Sequence, residues 1–413
     1  MGSEAANEIR RQKGLQIAQT CRISKKPTGE YLVPSQSGMG KYTVRYVGYK
    51  PQCDCPDFEK RNVLGVRCKH IWAVQLIVNR HLNQDGTVTT TKTMKMTYGQ
   101  NWTSYTLAQT HEKELFMRLL NDLCQSVPNP QYKFGRPILP LSDMVFSSAL
   151  KVYTTFSLRR FTSDMNGAKE KGYIDAVPYY TTVARYMEKP ELTPVLIDLI
   201  MKTALPLASV ETDFAVDSSG FSTRRYARWF DFKYGKEKDV RIWLKAHLMC
   251  GTKTNIVTAV EVTEGYGADS PRLPELVNAT KLHFDIKQVS ADKAYSSVNN
   301  LEIIERAGGE PFIPFKSNTV TRARQPRIWK RLYHYFQFNR EDFLQNYHKR
   351  SNVETTFHMI KAKFGTQIRS KTKTAEINEV LCKILCHNIC VVIQEMHELG
   401  IEPTFAVAKV GVV

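Results

Sequence analysis

The sequence has no uncharged hydrophobic run long enough to cross a membrane, no stretch typical of a secretory signal peptide and no internal repeat. These absences argue against a membrane protein, a secreted protein and a repeat protein. The nine cysteines are odd in number and unevenly placed, so the sequence does not indicate a framework of disulfide bonds. We therefore expect the protein to work in a reducing, soluble compartment.

Acidic residues are too few to balance the basic ones. Aspartate and glutamate number 40 against 58 lysines and arginines, which gives a net charge of +18. A small soluble domain usually carries a net charge of about 2–8 in magnitude. The excess favours a polyanionic partner, because basic side chains displace condensed counterions from a phosphate backbone. We interpret it as a sign of nucleic-acid binding; a solubilising surface charge is the alternative.

The length and hydrophobic content set the scale of the fold. With 413 residues, of which 42% are hydrophobic, the sequence is long enough for two or three domains with cores of their own.

Cys382, Cys386 and Cys390 repeat every four residues within an apolar helical pattern. That pattern predicts that they are small buried hydrophobic residues.

A second cysteine cluster has the spacing of a metal site. Cys53, Cys55, Cys68 and His70 follow the pattern C-x-C-x12-C-x-H, and three thiolates with one imidazole suit tetrahedral zinc. Four protein ligands leave no open position, so we predict one structural Zn²⁺; chance clustering in a reduced protein is the alternative. With a strand-like run before it and an apolar helical run after it, this region resembles the SWIM zinc finger over about residues 40–78.

Basic side chains in two regions are candidates for DNA contact. Fingers of the SWIM kind are associated with binding either DNA or protein, and basic residues beside the metal ligands favour DNA. Exposed arginines in a helical region would serve the same purpose, or belong to an ordinary helical spacer. The residues concerned are Arg61, Arg67 and Lys69 in the finger, and Arg159, Arg160 and Arg185 in the helical region.

The pattern of hydrophobic residues changes near Pro206. Before it, apolar residues recur at spacings of three and four, which is typical of helices. After it come consecutive runs rich in valine, isoleucine and aromatic residues, then alternating helices and strands, then terminal helices. This order predicts an α/β fold with an RNase H-like mixed sheet flanked by helices, preceded by a helical domain and the small zinc finger.

Two aspartates end strand-like runs in the second half of the chain. Asp217 ends TDFAVD, and Asp292 ends IKQVSAD. A carboxylate at the tip of a buried strand is held by a rigid element and remains open to solvent, which is a good place to bind a hard cation through oxygen. One such aspartate would indicate only a turn, but two in parallel contexts favour a shared site.

A third carboxylate lies on a predicted helix with three other functional side chains. At about 100° per residue, Tyr347, Arg350, Glu354 and Lys361 fall within an arc of about 60° on one helix face. Arg350 and Glu354 are also spaced for an ordinary ion pair at i and i+4. The tyrosine in the same face, together with the two aspartates, favours an active face over an exposed salt-bridged stripe.

The spacing Y-x2-R-x3-E-x6-K, with AVDSSGF and SADKAYSS upstream, resembles the signature of insertion-sequence DDE transposases over about residues 135–400. The resemblance implies that Asp217, Asp292 and Glu354 are catalytic and hold two Mg²⁺ ions, for which Mn²⁺ can substitute. It implies that Tyr347, Arg350 and Lys361 bind DNA phosphate. The implied activity is cleavage at transposon ends followed by strand transfer, by a homodimer on double-stranded DNA, in the nucleoid of a prokaryotic cell.

The sequence departs from some of these relatives between Asp292 and Glu354, where there is little room for a large β insertion. A basic loop takes its place, and we expect it to follow the DNA backbone beside the site; a plain solvated loop is the alternative. Its basic residues are Arg322, Arg324, Arg327, Lys330 and Arg331.

The predicted organisation has six parts, and it leaves rival functions open. A nuclease on the same core would cut without joining, and a domesticated protein would bind DNA without transposing it. The parts are a basic N-terminal segment (1–35), the SWIM-type finger (36–83), a linker (84–109), a helical DNA-binding or lead-in domain (110–205), the catalytic domain (206–400) and a tail (401–413).

Overall fold

A computed structural model of the chain forms two compact units, residues 1–102 and 103–413, and each is described here by itself. The structure describes residues 2–21, 23–26, 28–36, 40–47, 50–59, 67–82, 88–92, 101–129, 139–223, 243–316, 318–320 and 324–405. Arg61 and Arg322 lie outside these ranges, and so does one of the strand-like runs after Pro206, residues 228–235. Within them, no helix is both long and apolar enough to cross a membrane.

The first unit combines a small sheet with two packed helices. In the described part of this unit, the elements are α1 (Gly2–Thr20), β1 (Ser24–Lys25), β2 (Tyr31–Pro34), β3 (Lys41–Val47), β4 (Lys50–Cys53), α2 (Pro56–Glu59), α3 (Lys69–Ile77), β5 (Val78–Leu82) and β6 (Val88–Lys92). Strands β1 to β4 form one antiparallel sheet in chain order, and β5 pairs antiparallel with β6. The strand predicted before the metal ligands and the helix predicted after them are therefore present as β3 and α3.

The first 34 residues belong to the same packed unit as the finger. Helix α1 lies so close to α3 that a Cβ on Gly14 would be 2.6 Å from the Cβ of Trp72. Ile17 is fully buried in the same core. The structure thus differs from the predicted separation of a basic segment over 1–35. It also differs from the predicted linker, because β6 occupies residues 88–92.

The second unit begins with helices. Its described helices before the large sheet are α4 (Trp102–Thr110), α5 (Glu112–Cys124), α6 (Leu141–Thr154), α7 (Leu158–Glu170), α8 (Tyr180–Met187) and α9 (Leu192–Ala204). The helical pattern that the sequence shows before Pro206 is divided at residues 155–157, because Thr155 adopts a left-handed conformation with φ of 57° and ends α6. Thr110 ends α4, and α5 begins at Glu112.

The sheet has the strand order expected for an RNase H-like fold. Its described elements, with the helices around it, are β7 (Asp213–Ser222), β8 (Trp243–Gly251), β9 (Val257–Glu264), α10 (Leu273–Lys281), β10 (Gln288–Ala291), α11 (Val298–Arg306), β11 (Glu310–Phe312), α12 (Arg327–Phe338), α13 (Arg340–Tyr347), α14 (Ser351–Phe364) and α15 (Lys373–Leu399). The order is β11-β10-β7-β8-β9, with β7, β8 and β9 antiparallel and β10 and β11 parallel to β7. The predicted mixed α/β fold is confirmed.

Helix α15 joins the helical part of this unit to the sheet. Cys382 and Cys386 are fully buried in it, as the sequence predicts, and Cys390 is half-buried. Asn388 accepts a hydrogen bond from the backbone N–H of Val257 at 2.9 Å and donates to the carbonyl of the same residue at 2.7 Å. The first residue of β9 is thereby attached to the helix through both of its backbone polar groups.

Candidate active site

The register of the sheet brings the two predicted aspartates to neighbouring strands. Ala291, the last residue of β10, pairs in parallel with Val216, so Asp292 and Asp217 follow paired residues on adjacent strands. Asp217 lies in the middle of β7, not at its end as the sequence suggested. Directly beyond Val216 β10 stops, so next to Asp217 the strand β7 pairs with β8 alone; at its far end Ser222 also bridges to Gln367. This side of β7 is therefore open, and both carboxylates lie at the opening.

The carboxylate of Asp217 is half-buried and engaged through both oxygens. Oδ1 accepts the backbone N–H of Ser218 at 2.8 Å, and Oδ2 lies 2.7 Å from Nη1 of Arg350. Burial raises the pKa of Asp217, and the negative charges of Asp292 and Glu354 raise it further, although Ser218 and Arg350 act in the opposite direction. The three carboxyl groups therefore share one electrostatic site, which a positive charge would stabilise.

The predicted helix face is present, but the helix is interrupted. Tyr347 ends α13, a 3₁₀ turn covers His348–Arg350, and Glu354 lies in the first turn of α14. A 3₁₀ turn has about 3.0 residues per turn, so the face is rotated slightly from that of a continuous α-helix. Arg350 and Glu354 nevertheless form the ion pair that their spacing allows.

Arg350 bridges two of the three carboxylates. Its Nη1 lies 2.7 Å from Asp217, and its Nη2 pairs with Glu354. The guanidinium also lies 6.0 Å from the centre of the Tyr347 ring. Burial disfavours the charged form, but Tyr347, Asp217 and Glu354 outweigh it, so the pKa of Arg350 is raised. Arg350 is therefore a permanent cation within the carboxylate cluster.

Lys361 reaches β7 two residues after Asp217. Its Nζ donates to Oγ of Ser219 at 2.6 Å and lies 5.2 Å from the ring of Phe221. Burial lowers the pKa of Lys361. Sequence analysis did not find Ser219, although alternation along a strand places its side chain on the same face as that of Asp217. The strand therefore presents a carboxylate and a lysine-bound hydroxyl side by side.

Two lysines that the sequence analysis did not single out hold the ends of this helical segment. Lys349 Nζ lies 2.7 Å from Asp213 Oδ2 and 2.8 Å from Gln288 Oε1, which ties the 3₁₀ turn to the first residues of β7 and β10. Beyond α14, the buried Lys383 donates to the carbonyl oxygens of Gly365 and Gln367 at 2.9 and 2.7 Å. Burial lowers the pKa of Lys383 to about 8. Both lysines fix backbone next to the candidate site.

The predicted basic loop is largely a helix. Arg327, Lys330 and Arg331 lie on α12, and Arg331 pairs with Glu310 at 2.6 Å. Glu310 begins β11 and is level with Gln288, the first residue of β10, whereas Asp292 follows the last residue of that strand. Arg331 is therefore held near the first residue of β10, at the far end of that strand from Asp292. The expectation of a loop beside the site is wrong for residues 327–331.

The donor set fits a hard divalent cation. Asp217 and Asp292 are half-buried, and Glu354 is exposed. All three offer carboxylate oxygens, which Mg²⁺ and Mn²⁺ prefer, and their partial exposure leaves room for water and a phosphate oxygen. These residues could therefore hold divalent metal without closing its coordination shell.

The cysteine cluster of the first unit fits a different metal. Cys53, Cys55, Cys68 and His70 are all buried, and their ligand atoms lie within 4.8 Å of one another. Cys53 Sγ lies 3.9 Å from Nδ1 of His70, whose Nε2 is buried without a hydrogen-bond partner. Three thiols and one imidazole at this separation suit tetrahedral zinc with every position filled by protein.

Local hydrogen bonds explain how the chain shapes this cluster. The hairpin of β3 and β4 ends at Cys53, and Asp54 accepts the backbone N–H of Thr43 at 2.7 Å across it. Cys68 Sγ accepts the backbone N–H of Ile71 at 3.4 Å at the start of α3. The Tyr42 ring packs against that of His70, with ring centres 4.6 Å apart. The ligands are thus positioned by a strand turn and a helix start.

Comparison with known families gives both regions a name. Residues 208–389 match the family model described as a transposase DDE domain, and residues 42–78 match the SWIM zinc finger. The chain carries a transposase DDE domain and a SWIM zinc finger. The two predicted families are thereby confirmed, while the narrower subgroup defined by the Tyr-Arg-Glu-Lys spacing stays a prediction.

The DDE domain begins before β7 and ends within α15, so it contains the whole carboxylate cluster together with Arg350 and Lys361. The match to this domain family implies a divalent metal and DNA as the partner. The SWIM match contains the four residues of the cysteine cluster. The helical region between the two matches belongs to neither.

Proposed function

We propose that this protein is an insertion-sequence transposase, which cleaves DNA at the ends of its element and joins the new 3′ ends to target DNA. The observation that carries the proposal is that Asp217 and Asp292 follow paired residues on adjacent strands, with Glu354 joined to Asp217 through Arg350, within the residues that match a transposase DDE domain. Arg350 and Lys361, from the same helical segment, reach this strand beside them. Carboxylates for metal and cations for phosphate are what phosphodiester chemistry requires.

Each residue has a role in this proposal. Asp217, Asp292 and Glu354 would hold a pair of Mg²⁺ ions, with Mn²⁺ as a substitute. When bound, two such ions activate a nucleophile and stabilise the leaving 3′ oxygen. Arg350 and Lys361, with Tyr347 at the end of α13, would hold the DNA phosphates near the scissile bond. Water would be the nucleophile for cleavage, and the released 3′ hydroxyl would be the nucleophile for joining.

The SWIM finger would be a separate binding module with one structural Zn²⁺. Basic residues next to its ligands, the exposed Arg67 and the half-buried Lys69, support DNA as its partner. Two element ends must be joined to two target strands, so we propose a homodimer on DNA with one active site for each end. In a prokaryotic cell the protein would act in the nucleoid, where this substrate lies.

The test uses the full-length protein and duplexes copied from the DNA that flanks its gene on each side. Asp217→Asn and Glu354→Gln keep side-chain shape but remove the charge that holds metal. We expect each to lower Mg²⁺-dependent cleavage by about three orders of magnitude or more, as loss of a principal catalytic group commonly does. Binding of the duplex should be retained. Glu341→Gln, at another exposed glutamate on the preceding helix, is the matched control and should cleave normally.

The products separate the transposase from its rivals. A transposase gives cleaved ends with a 3′ hydroxyl and, with added target, joined products. Cleavage without joining under any condition would favour a nuclease on the same fold. Duplex binding without Mg²⁺- or Mn²⁺-dependent cleavage by the wild-type protein would favour a domesticated DNA-binding protein. Near wild-type cleavage by either amide variant would show that the carboxylates are wrongly assigned.

A further inference from the structure

The guanidinium of Arg350 lies where two of the carboxylates converge. Nη1 is 2.7 Å from Oδ2 of Asp217, and Nη2 pairs with Oε1 of Glu354. One planar cation therefore binds two side chains that come from different elements, a strand and a helix. Such forked pairing is characteristic of arginine and is not reproduced by the single ammonium of lysine.

These are the same oxygens that a divalent cation would use. A carboxylate binds Mg²⁺ at about 2.0–2.1 Å and larger divalent ions at up to about 2.6 Å. Oδ1 of Asp217 accepts the N–H of Ser218, so Oδ2, which is paired with Arg350, is the oxygen that departure of the guanidinium would make available to a metal ion. A metal ion on Oδ2 would lie within a few ångströms of the guanidinium, and like charges at that separation repel strongly.

We infer that Arg350 and a divalent cation compete for Asp217 and Glu354, so that metal can load only as the guanidinium leaves, and that a DNA phosphate is the alternative partner that draws it away. This inference rests on the proposed function, because it assumes that these carboxylates bind metal. It assigns Arg350 a role in regulating the site that differs from simple phosphate binding.

The side chain is placed so that it can exchange partners without disturbing the backbone. The 3₁₀ turn that carries Arg350 is held independently, by the bonds of Lys349 to Asp213 and Gln288. The Glu354 side chain is 56% exposed, so water can replace its ion pair. The remaining contact of the guanidinium given above, with Tyr347, is a ring contact at 6.0 Å. Movement of Arg350 therefore breaks ion pairs but leaves the fold in place.

The exchange would couple DNA binding to metal binding. A DNA phosphate near the site offers Arg350 a partner that a guanidinium can bind as it binds a carboxylate, through two anionic oxygens. Once the guanidinium has moved to the phosphate, Oδ2 of Asp217 is available to the metal. By linkage, DNA must then tighten metal binding by the same factor as metal tightens DNA binding.

The test measures Mn²⁺ binding by titration of zinc-loaded, full-length protein, with free Mn²⁺ followed by electron paramagnetic resonance. Arg350→Gln should tighten binding by roughly tenfold, because it removes a neighbouring positive charge and a competitor. Arg340→Gln makes the same substitution at an exposed arginine whose guanidinium lies on the Phe336 ring, and it should change the affinity less than about twofold. Arg350→Lys keeps the charge without the fork and should fall between the two.

A second series repeats the titrations with a saturating short duplex. DNA should tighten Mn²⁺ binding to the wild type by a larger factor than to Arg350→Gln, since the variant has no guanidinium to draw away. Weaker Mn²⁺ binding by Arg350→Gln would overturn the inference and make Arg350 a residue that orients the carboxylates. Equal tightening by Arg350→Gln and Arg340→Gln would overturn it too, because net charge alone would then explain the effect.

Failure of the proposed function gives a different result. Glu354→Gln defines the Mn²⁺ that is bound by the carboxylate cluster. If neither the wild type nor Arg350→Gln binds Mn²⁺ that Glu354→Gln removes, the metal assignment falls and this inference falls with it. If such Mn²⁺ is bound but its affinity does not depend on Arg350, only the competition is disproved.

Discussion

The cysteine cluster of the SWIM finger and the carboxylate cluster of the DDE domain differ in burial and in how completely protein surrounds them. In the finger, the four side chains are all buried, and their ligand atoms lie within 4.8 Å of one another. In the DDE domain, Asp217 is half-buried and the Glu354 side chain is 56% exposed. A closed set of four ligands can only support structure, whereas an open set has room for water and substrate.

The two clusters also differ in whether the core around them includes the metal-binding side chains. The small core of the first unit includes three of the metal ligands themselves, Cys53, Cys55 and Cys68. The core of the second unit is built from the sheet and from helices such as α15, and its buried residues do not include the three carboxylates. Metal should therefore hold the first unit together and should serve only chemistry in the second.

We expect removal of zinc to give the largest difference in stability between the two units. Chelation, or Cys55→Ser, should unfold the first unit, because a structural zinc site commonly contributes on the order of 10 kcal/mol to folding. Hydrogen exchange followed by mass spectrometry should show lost protection in residues 2–92 and unchanged protection in 243–316 and 351–399.

The matched control for this experiment is Cys21→Ser, which alters a cysteine of the same unit that is not in the metal cluster. It should leave zinc content at one per chain. Freshly purified, unchelated protein without zinc by elemental analysis would contradict the prediction. So would loss of protection in both units together.

Acid should weaken the second unit through a buried histidine. His387 lies in α15 with Nε2 2.9 Å from the carbonyl oxygen of Asn255, and burial lowers its pKa from 6.5 to about 4. Between those values the unfolded chain takes up the proton and the folded chain does not, so stability falls as pH decreases from 6.5 to 4. The loss should reach about 3 kcal/mol.

Denaturant unfolding at pH 7, 5 and 4, read by hydrogen exchange of α15, measures this loss. His387→Gln cannot titrate in this range, and it should lose less stability than the wild type on the same acidification. An equal loss in the two proteins would assign the acid sensitivity to other groups. Zinc release from the finger is expected over the same range, but it affects the first unit only.

The smallest expected effect concerns a single cation beside the open cluster. Lys361→Met should flatten the dependence of log affinity for duplex DNA on log salt by roughly one unit, because one phosphate contact is lost. Cleavage should fall further than binding, since a misplaced phosphate loses its alignment with the metal pair. An unchanged salt slope with normal cleavage would mean that Lys361 serves only the contact with Ser219 seen in the structure.

Local sequence was sufficient to predict the zinc finger, because its ligands lie close together in the chain. Cys53 and Cys55 follow a strand, Cys68 and His70 flank the start of a helix, and spacing alone determines that they meet. The mixed sheet was also predictable, because strand and helix periodicities differ and their order restricts the topology. The burial of Cys382 and Cys386 followed from helical periodicity in the same way.

Which side chains meet in the candidate active site was decided by the tertiary structure and could not be predicted from residues that are neighbours in sequence. Asp217 meets Asp292 because β10 pairs with β7 in one particular register, and Arg350 bridges Asp217 and Glu354 because the 3₁₀ turn is tied to the sheet through Lys349. Spacing along a helix shows which side chains share a face but not which strand that face meets.

The boundaries of the units were decided in the same way. The packing of α1 against α3, which depends on Gly14, joined residues predicted to be a separate basic segment to the finger. The pairing of Arg331 with Glu310 placed a predicted basic loop on a helix at the other end of the sheet from Asp292. Residue chemistry and spacing were sufficient to predict which metals and which reaction this chain supports. Contacts between residues distant in sequence determined where the cations lie, because packing free energy depends on surfaces that only the folded chain brings together.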